Sequence, residues 1–175
     1  MPTQADSSAS LPWWCIVLIG RRPKRTLVRI GVLVAVCFVL FRFVLAPVRI
    51  QGPSMLPTCR RGQVRMVNRL AYRFHEPRRG DIVAIKFSDS GESVMLLKRI
   101  VGLPGESVAF QEGRLLINGQ RVEEPYLRYS CDWQMPPVPV GPDEFYVVGD
   151  NRSMPREYHE QGRCKRERIL GRLWL

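Results

Sequence analysis

Apolar and polar positions follow two different rhythms along this chain. From Leu27 to Ala46 nearly every residue is apolar (LVRIGVLVAVCFVLFRFVLA). As a helix, a run of this length rises about 30 Å, the thickness of a bilayer's hydrocarbon core. Arg29 and Arg42 lie near its two ends, where long side chains reach the headgroups. From Val48 onward no sustained period of 3.6 exists. Short apolar runs rich in β-branched residues alternate with turn signals, which predicts strands. We place them at Val48–Ile50, Asp81–Phe87, Val94–Val101, Leu115–Ile117, Gln120–Val122 and Glu144–Val148. Asn118-Gly119 between two of these predicts a hairpin with a type I′ turn, since both central residues need positive φ. The stretch holding Pro136, Pro137, Pro139 and Pro142 reads as an extended loop. The expected organisation is a polar and basic tail over 1–26, a membrane span over 27–47, and a loop-rich, mainly β domain over 48–175.

Within the tail, MPTQADSSAS reads as disordered. Leu11–Ile19 is too short to span a bilayer, although Trp13 and Trp14 suit its interface. Lys and Arg total 27 against 16 Asp and Glu, a formal net charge of +11. Such a balance suits nucleic acid, an anionic membrane or acidic partners. The tightest basic cluster, RRPKR, directly precedes the apolar run, so it is expected to stay cytoplasmic with everything after Pro47 on the other side. No clear small-x-small cleavage site follows the run, which favours a retained signal-anchor. The expected partner of the basic end is a phospholipid membrane, and no nucleic-acid partner is expected.

Common catalytic and metal patterns are mostly missing. His75 and His159 lie in no HExxH or Cys-pair frame, so no metal or other cofactor is expected. A serine and a lysine remain. Ser54 sits in QGPSMLPT, where Gly52, Pro53 and Pro57 break a strand into a turn. A turn can present a hydroxyl and a backbone N–H to one carbonyl. Lys98 sits inside an apolar strand, VMLLKRIVG. Desolvation there disfavours the ammonium form, and a neutral amine beside a serine hydroxyl can take its proton. The bland alternative is a strand lysine pointing to water.

Several segments in order now carry a resemblance. GPSMLPT (52–58), RRGDIVAI (78–85), LKRIVGLPGE (97–106), INGQRVEEPYL (117–127), GDNR (149–152) and the closing GRLWL resemble the boxes of the type I signal peptidases, the Ser-Lys leader peptidases. The resemblance implies an N-terminal transmembrane helix followed by an antiparallel β-sheet catalytic domain. It implies a membrane-bound serine endopeptidase that cuts signal peptides from exported preproteins after small-x-small sites. Ser54 would be the nucleophile and Lys98 the general base, working through an acyl-enzyme. The Ser54 N–H would hold the oxyanion, with Gly52 where many members carry a second donor, a hydroxyl. Substrates would bind extended against Val48–Gly52 and Met95–Leu97. Gly52, Pro53, Ile50, Met55 and Leu97 would shape the cleft, though Ile50, Met55 and Leu97 also suit an ordinary core. The implied location is a bacterial inner (plasma) membrane, with an organelle inner membrane second. Trp133 is a candidate for an apolar surface resting on lipid.

One box departs from the family pattern. After GDNR the family usually continues x-x-S-x-D-S-R, but here Pro155 replaces the serine that commonly orients the lysine, and Glu157 and His159 replace the Asp–Arg ion pair. Ser153 is a candidate substitute orienter. The departure leaves open a narrow-specificity conjugative or organelle processing peptidase, or a non-catalytic peptide-binding relative. A self-cleaving repressor with a Ser-Lys site would need a helix-turn-helix N-terminus, which the apolar span disfavours. Cys131 and Cys164 can pair in an oxidising compartment, while Cys59 and Cys37 are expected to stay free.

Overall fold

The apolar run forms helix α1 (Pro23–Val39), which continues as a π-helical turn over Leu40–Val44. This computed structural model describes residues 23–89, 92–159 and 161–174; the polar tail, the Leu11–Ile19 segment and Arg21–Arg22 lie outside them. From Lys24 to Val44 the helical stretch is long and apolar enough to cross a membrane. Its apolar side chains, Leu27 through Phe43, are exposed on every side, the pattern of a helix without a polar face. The helix stops before the apolar run does. Leu45 and Ala46 instead open strand β1 (Leu45–Arg49). Pro47 explains the break, because its ring disfavours helical ψ at Ala46 and it has no N–H to extend the helix ladder.

Among the described residues ten further strands follow. They are β2 (Val64–Asn68), β3 (Ile82–Asp89), β4 (Glu92–Gly102), β5 (Ser107–Gln111), β6 (Arg114–Ile117), β7 (Gln120–Arg121), β8 (Met135–Pro139), β9 (Glu144–Val148), β10 (Gly162–Lys165) and β11 (Ile169–Trp174). They form a seven-stranded sheet in the order β1-β2-β11-β3-β4-β9-β10 and a four-stranded sheet in the order β7-β6-β5-β8. Every pairing among the described residues is antiparallel. The expected class, a mainly antiparallel β fold behind an N-terminal apolar helix, is borne out. So is the hairpin turn, where Asn118 and Gly119 have φ of 52° and 78°.

Three expectations need correction. The proline-rich stretch forms β8, which pairs Ser107↔Pro139 and Phe110↔Met135 at the edge of its sheet. An edge strand tolerates proline because one side of its ladder needs no donors. Trp133 is no lipid-facing residue. It is 4% exposed, donates from Nε1 to the Met154 carbonyl (3.1 Å) and packs edge-on against Phe110. Cys131 and Cys164 are both free thiols. They lie in different places: Cys131 packs against the cluster around Phe110, Trp133 and Val148, whereas Cys164 belongs to the cluster of Val83, Ile85, Ile100 and Phe145. Cys37 and Cys59 are free, as expected. A third cluster gathers Ile50, Met55, Cys59, Val67, Ile82 and Leu173 beneath the segment that carries Ser54.

Candidate active site

Gly52 and Pro53 end the extended chain, and the backbone then winds into one helical turn. The Pro53 carbonyl accepts from Leu56 N–H (3.1 Å) and the Met55 carbonyl from Cys59 N–H (2.9 Å). Met55, 1% exposed, and Cys59 drop into the core and anchor the turn from below. Ile50 is fixed at both ends of its backbone, its N–H to Gln63 O (2.9 Å) and its carbonyl to Gly62 N–H (2.7 Å). Ser54 is thereby held half-buried at the head of the turn. Around Gly52 the space is open, with nothing within 4 Å of where a Cβ would stand.

Residues 149–152 clamp this turn from its other side. A Cβ on Gly149 would stand 2.3 Å from the Ser54 carbonyl oxygen and 2.5 Å from Cε1 of His159, so only glycine lets the turn and the ring approach so closely. The buried Asp150 carboxylate accepts from Arg99 Nε (2.8 Å) and Nη2 (2.6 Å), and from the Thr58 hydroxyl. Asn151 donates its backbone N–H to Ser54 O (2.9 Å) and its side-chain amide to Pro53 O (3.2 Å). Arg152 turns back to Gly149 O (3.0 Å) and grips Glu124 through two further bonds, of 3.0 and 2.6 Å.

Lys98 stands in β4 opposite Val83 of β3 and is 1% exposed. It lines, with Ser54, one cleft of about 700 Å³ whose walls are Pro47–Met55 and Val94–Lys98, with Met154 and Tyr158 also lining it. Gly52, Pro53, Ile50, Met55 and Leu97 all lie on these walls. Ile50 and Met55 belong to the core as well, with Leu97 packed against them. A smaller cavity of about 200 Å³, lined by Leu96, Val147 and Cys164, also borders Lys98. Among the described residues, β1 pairs only with β2, and β4 before Arg99 pairs only with β3. Both strands that wall the cleft therefore have an unpaired edge.

In the departing box, Ser153 is exposed and its hydroxyl donates to Asn151 Oδ1 (2.7 Å). Pro155 and Glu157 are exposed. His159 is 3% exposed, packs edge-on against Trp133 (4.9 Å between centroids) and lies 3.0 Å from the Asn151 carbonyl through Nε2. Burial, reinforced by the charge of Lys98, pushes its pKa down to about 4. The ring is neutral at ordinary pH, so Glu157 and His159 do not replace an ion pair. Two buried ion pairs among the described residues are Arg99–Asp150 and Arg152–Glu124. The sequence carried a hint of the first. In a strand, Lys98 and Arg99 point to opposite faces, so a buried Arg99 needs its own carboxylate.

The β domain is antiparallel, and its cleft lies between two strands that each have an unpaired edge. Comparison with known proteins places the chain in a family. The family "Signal peptidase, peptidase S26" matches residues 24–174. The chain is 38% identical over 149 residues to signal peptidase I of Leptolyngbya laminosa, spanning 82% of this chain and 73% of that protein. It is 33% identical over 156 residues to signal peptidase I of Bacillus caldolyticus, spanning 80% and 84%. The crystal structure of a signal peptidase I from Enterococcus faecalis V583 aligns with a TM-score of 0.46 at 26% identity, over 57% of this chain and 98% of that one. The chain belongs to the signal peptidase family, peptidase S26. It is an enzyme of the signal peptidase I type, a serine endopeptidase, and the resemblance read in its sequence is borne out.

Proposed function

We propose that this enzyme cleaves signal peptides from exported preproteins after small-x-small sites, with Ser54 as nucleophile and Lys98 as general base. The observation that carries the reading is that Ser54 and a fully buried lysine line one cleft. Burial disfavours the ammonium form, and a neutral Lys98 amine can accept the Ser54 hydroxyl proton as Oγ attacks the scissile carbonyl. The oxyanion forms beside the Ser54 N–H. The tetrahedral intermediate collapses, the leaving amine takes the proton from Lys98, and an acyl-Ser54 ester remains. Lys98 then deprotonates the water that hydrolyses the ester.

The unpaired edges of β1 and of β4 before Arg99 support an extended substrate that pairs with either wall. Ile50, Met55 and Leu97 suit shallow pockets that accept alanine and exclude bulk. Helix α1 suits a membrane span, with the basic tail cytoplasmic and the β domain on the trans side of a bacterial plasma membrane.

The test is cleavage of a preprotein with an Ala-x-Ala site by the full chain in detergent. We expect Ser54→Ala and Lys98→Ala each to lose about 10³-fold or more in kcat. Wild-type protein that folds but cuts nothing would point instead to a non-catalytic peptide-binding relative, and cleavage that survives Ser54→Ala would overturn the assignment of the nucleophile.

A further inference from the structure

Met154 lines the cleft that holds Ser54, and it also lines a second groove of about 790 Å³. Asp132 and Gln134 wall this groove from the loop before β8, and Ser153, Arg156 and Glu157 wall it from the loop after β9. All five are exposed. The shared wall is fixed in place: the Met154 carbonyl accepts from Nε1 of the buried Trp133 at 3.1 Å. It is also close to the nucleophile's turn. Asn151 N–H bonds Ser54 O at 2.9 Å, and Met154 follows Asn151 by three residues, a span of at most about 11 Å. An extended peptide advances about 3.3 Å per residue, so the second groove opens within about five residues of a bond held at Ser54.

The two hollows differ in chemistry. Val48, Ile50, Val94, Met95 and Leu97 give the first its apolar walls, beside two unpaired strand edges. A signal peptide carries its apolar stretch before the cut, so these walls suit that half. The second groove is lined by loop residues and by the short helical turn Arg156–Tyr158. The N–H groups of Tyr158 and His159 are already bonded to Pro155 O and Arg156 O, both at 3.1 Å. Recognition there falls to side chains. The Ser153 hydroxyl donates to Asn151 Oδ1 (2.7 Å), which leaves its lone pairs for a peptide N–H, and Gln134 can both donate and accept. Covering Asp132, Arg156 and Glu157 with an apolar surface would cost their hydration, so the groove suits a polar chain.

We propose that this second groove binds the leaving half of the substrate: the preprotein chain after the scissile bond crosses Met154 and lies, as a polar segment, between Asp132 and Gln134 on one side and Ser153, Arg156 and Glu157 on the other. This rests on the reading of Ser54 as the nucleophile in the first cleft. The apolar half before the cut then stays against the strand edges, and the two halves of the substrate are read by two surfaces of opposite character.

The experiment uses the full chain in detergent and peptides with one Ala-x-Ala site. The Ser54→Ala protein is photo-crosslinked to peptides that carry benzoylphenylalanine either at the third residue before the cut or at the fourth residue after it. Mass spectrometry then maps the labelled segments. The probe after the cut should label residues 130–134 or 153–157, and the probe before it residues 47–52 or 94–97. Labelling of the second groove by the probe before the cut, or of any other segment by the probe after it, overturns the proposal. Wild-type kinetics give a second measurement that does not depend on the variant. Lengthening the peptide after the cut from two to about six polar residues should raise kcat/KM about fivefold or more, and leucines at the added positions should abolish the gain. A kcat/KM indifferent to length, or raised equally by leucines, overturns the proposal. Asp132→Lys combined with Glu157→Lys should shift the preference between lysine and aspartate at the fourth residue about fivefold towards aspartate, and an unmoved ratio overturns it as well. Peptides that wild-type protein leaves uncut, with both probes labelling as expected, would strike the Ser54 assignment and keep the groove's.

Discussion

A buried histidine with cationic neighbours titrates against its own fold. The charges of Lys98 in β4 and of Arg152 after β9 both oppose a further positive charge on His159. Asp150 and the Asn151 carbonyl favour that charge, but burial outweighs them, and the ring's pKa falls from 6.5 to about 4. Between these values the unfolded chain binds the proton and the folded chain does not, so stability rises with pH across that window. The contribution is complete above about pH 6.5 and is lost as pH falls through about 4. We expect the wild-type Tm to drop across this window more steeply than that of His159→Phe. Parallel Tm–pH curves for the two proteins would show that the ring's protonation is not coupled to folding.

At the scale of elements, the hairpin between β6 and β7 depends on two residues with positive φ, Asn118 and Gly119. Asn118 also bonds Ser107 twice, through its N–H to Ser107 O (2.9 Å) and through Oδ1 from Ser107 N–H (2.8 Å). Replacing both by alanine forces two side chains into the left-handed region and removes the second bond. The expected cost is about 1–3 kcal/mol, read as a lower urea midpoint; an unchanged midpoint would mean the turn relaxes freely. This hairpin was legible because its signal is local, two adjacent residues of special conformation. Strands β3, β4 and β9 were legible because each is an apolar run. Strand β10 was not, since its only buried side chain is Cys164 and its pairing comes from β9. Strand β11 mixes Gly171 and Arg172 into its apolar set, and its partners β2 and β3 lie far back in the chain. The site divides in the same way. Ser54 and Lys98 stand in recognisable local contexts. The clamp that holds their surroundings joins Arg99 to Asp150 across 51 positions and Thr58 to Asp150 across 92. No short window contains such a pair, so folding alone discloses it.

For the whole molecule, the question is how much chain the β domain needs. Hydropathy places the boundary at Val48, just after the apolar run and Pro47. The chain divides into compact units between Phe41 and Arg42 instead. The residues in dispute include three of the five residues of β1: Leu45, Ala46 and Pro47 pair with Asn68, Val67 and Met66, and Ala46 is buried. Arg69 N–H adds a bond to Val44 O (2.8 Å). A chain beginning at Val48 would strip these contacts from β2 and leave that strand half uncovered. It would also loosen the start of the wall that runs from Pro47 to Met55 and carries Ser54. We therefore expect a soluble form beginning at Arg42 to keep the native urea midpoint of the β domain. A form beginning at Val48 should lose on the order of 2 kcal/mol and cleave more slowly. Equal midpoints would show that β1 contributes little to the fold. The expected difference follows from the double use of this short segment. The last apolar residues after the helix are also the first rung of the sheet, and Ser54 stands just beyond them. In this reading Leu45–Pro47 belong to the β domain, so hydropathy alone does not mark where that domain begins.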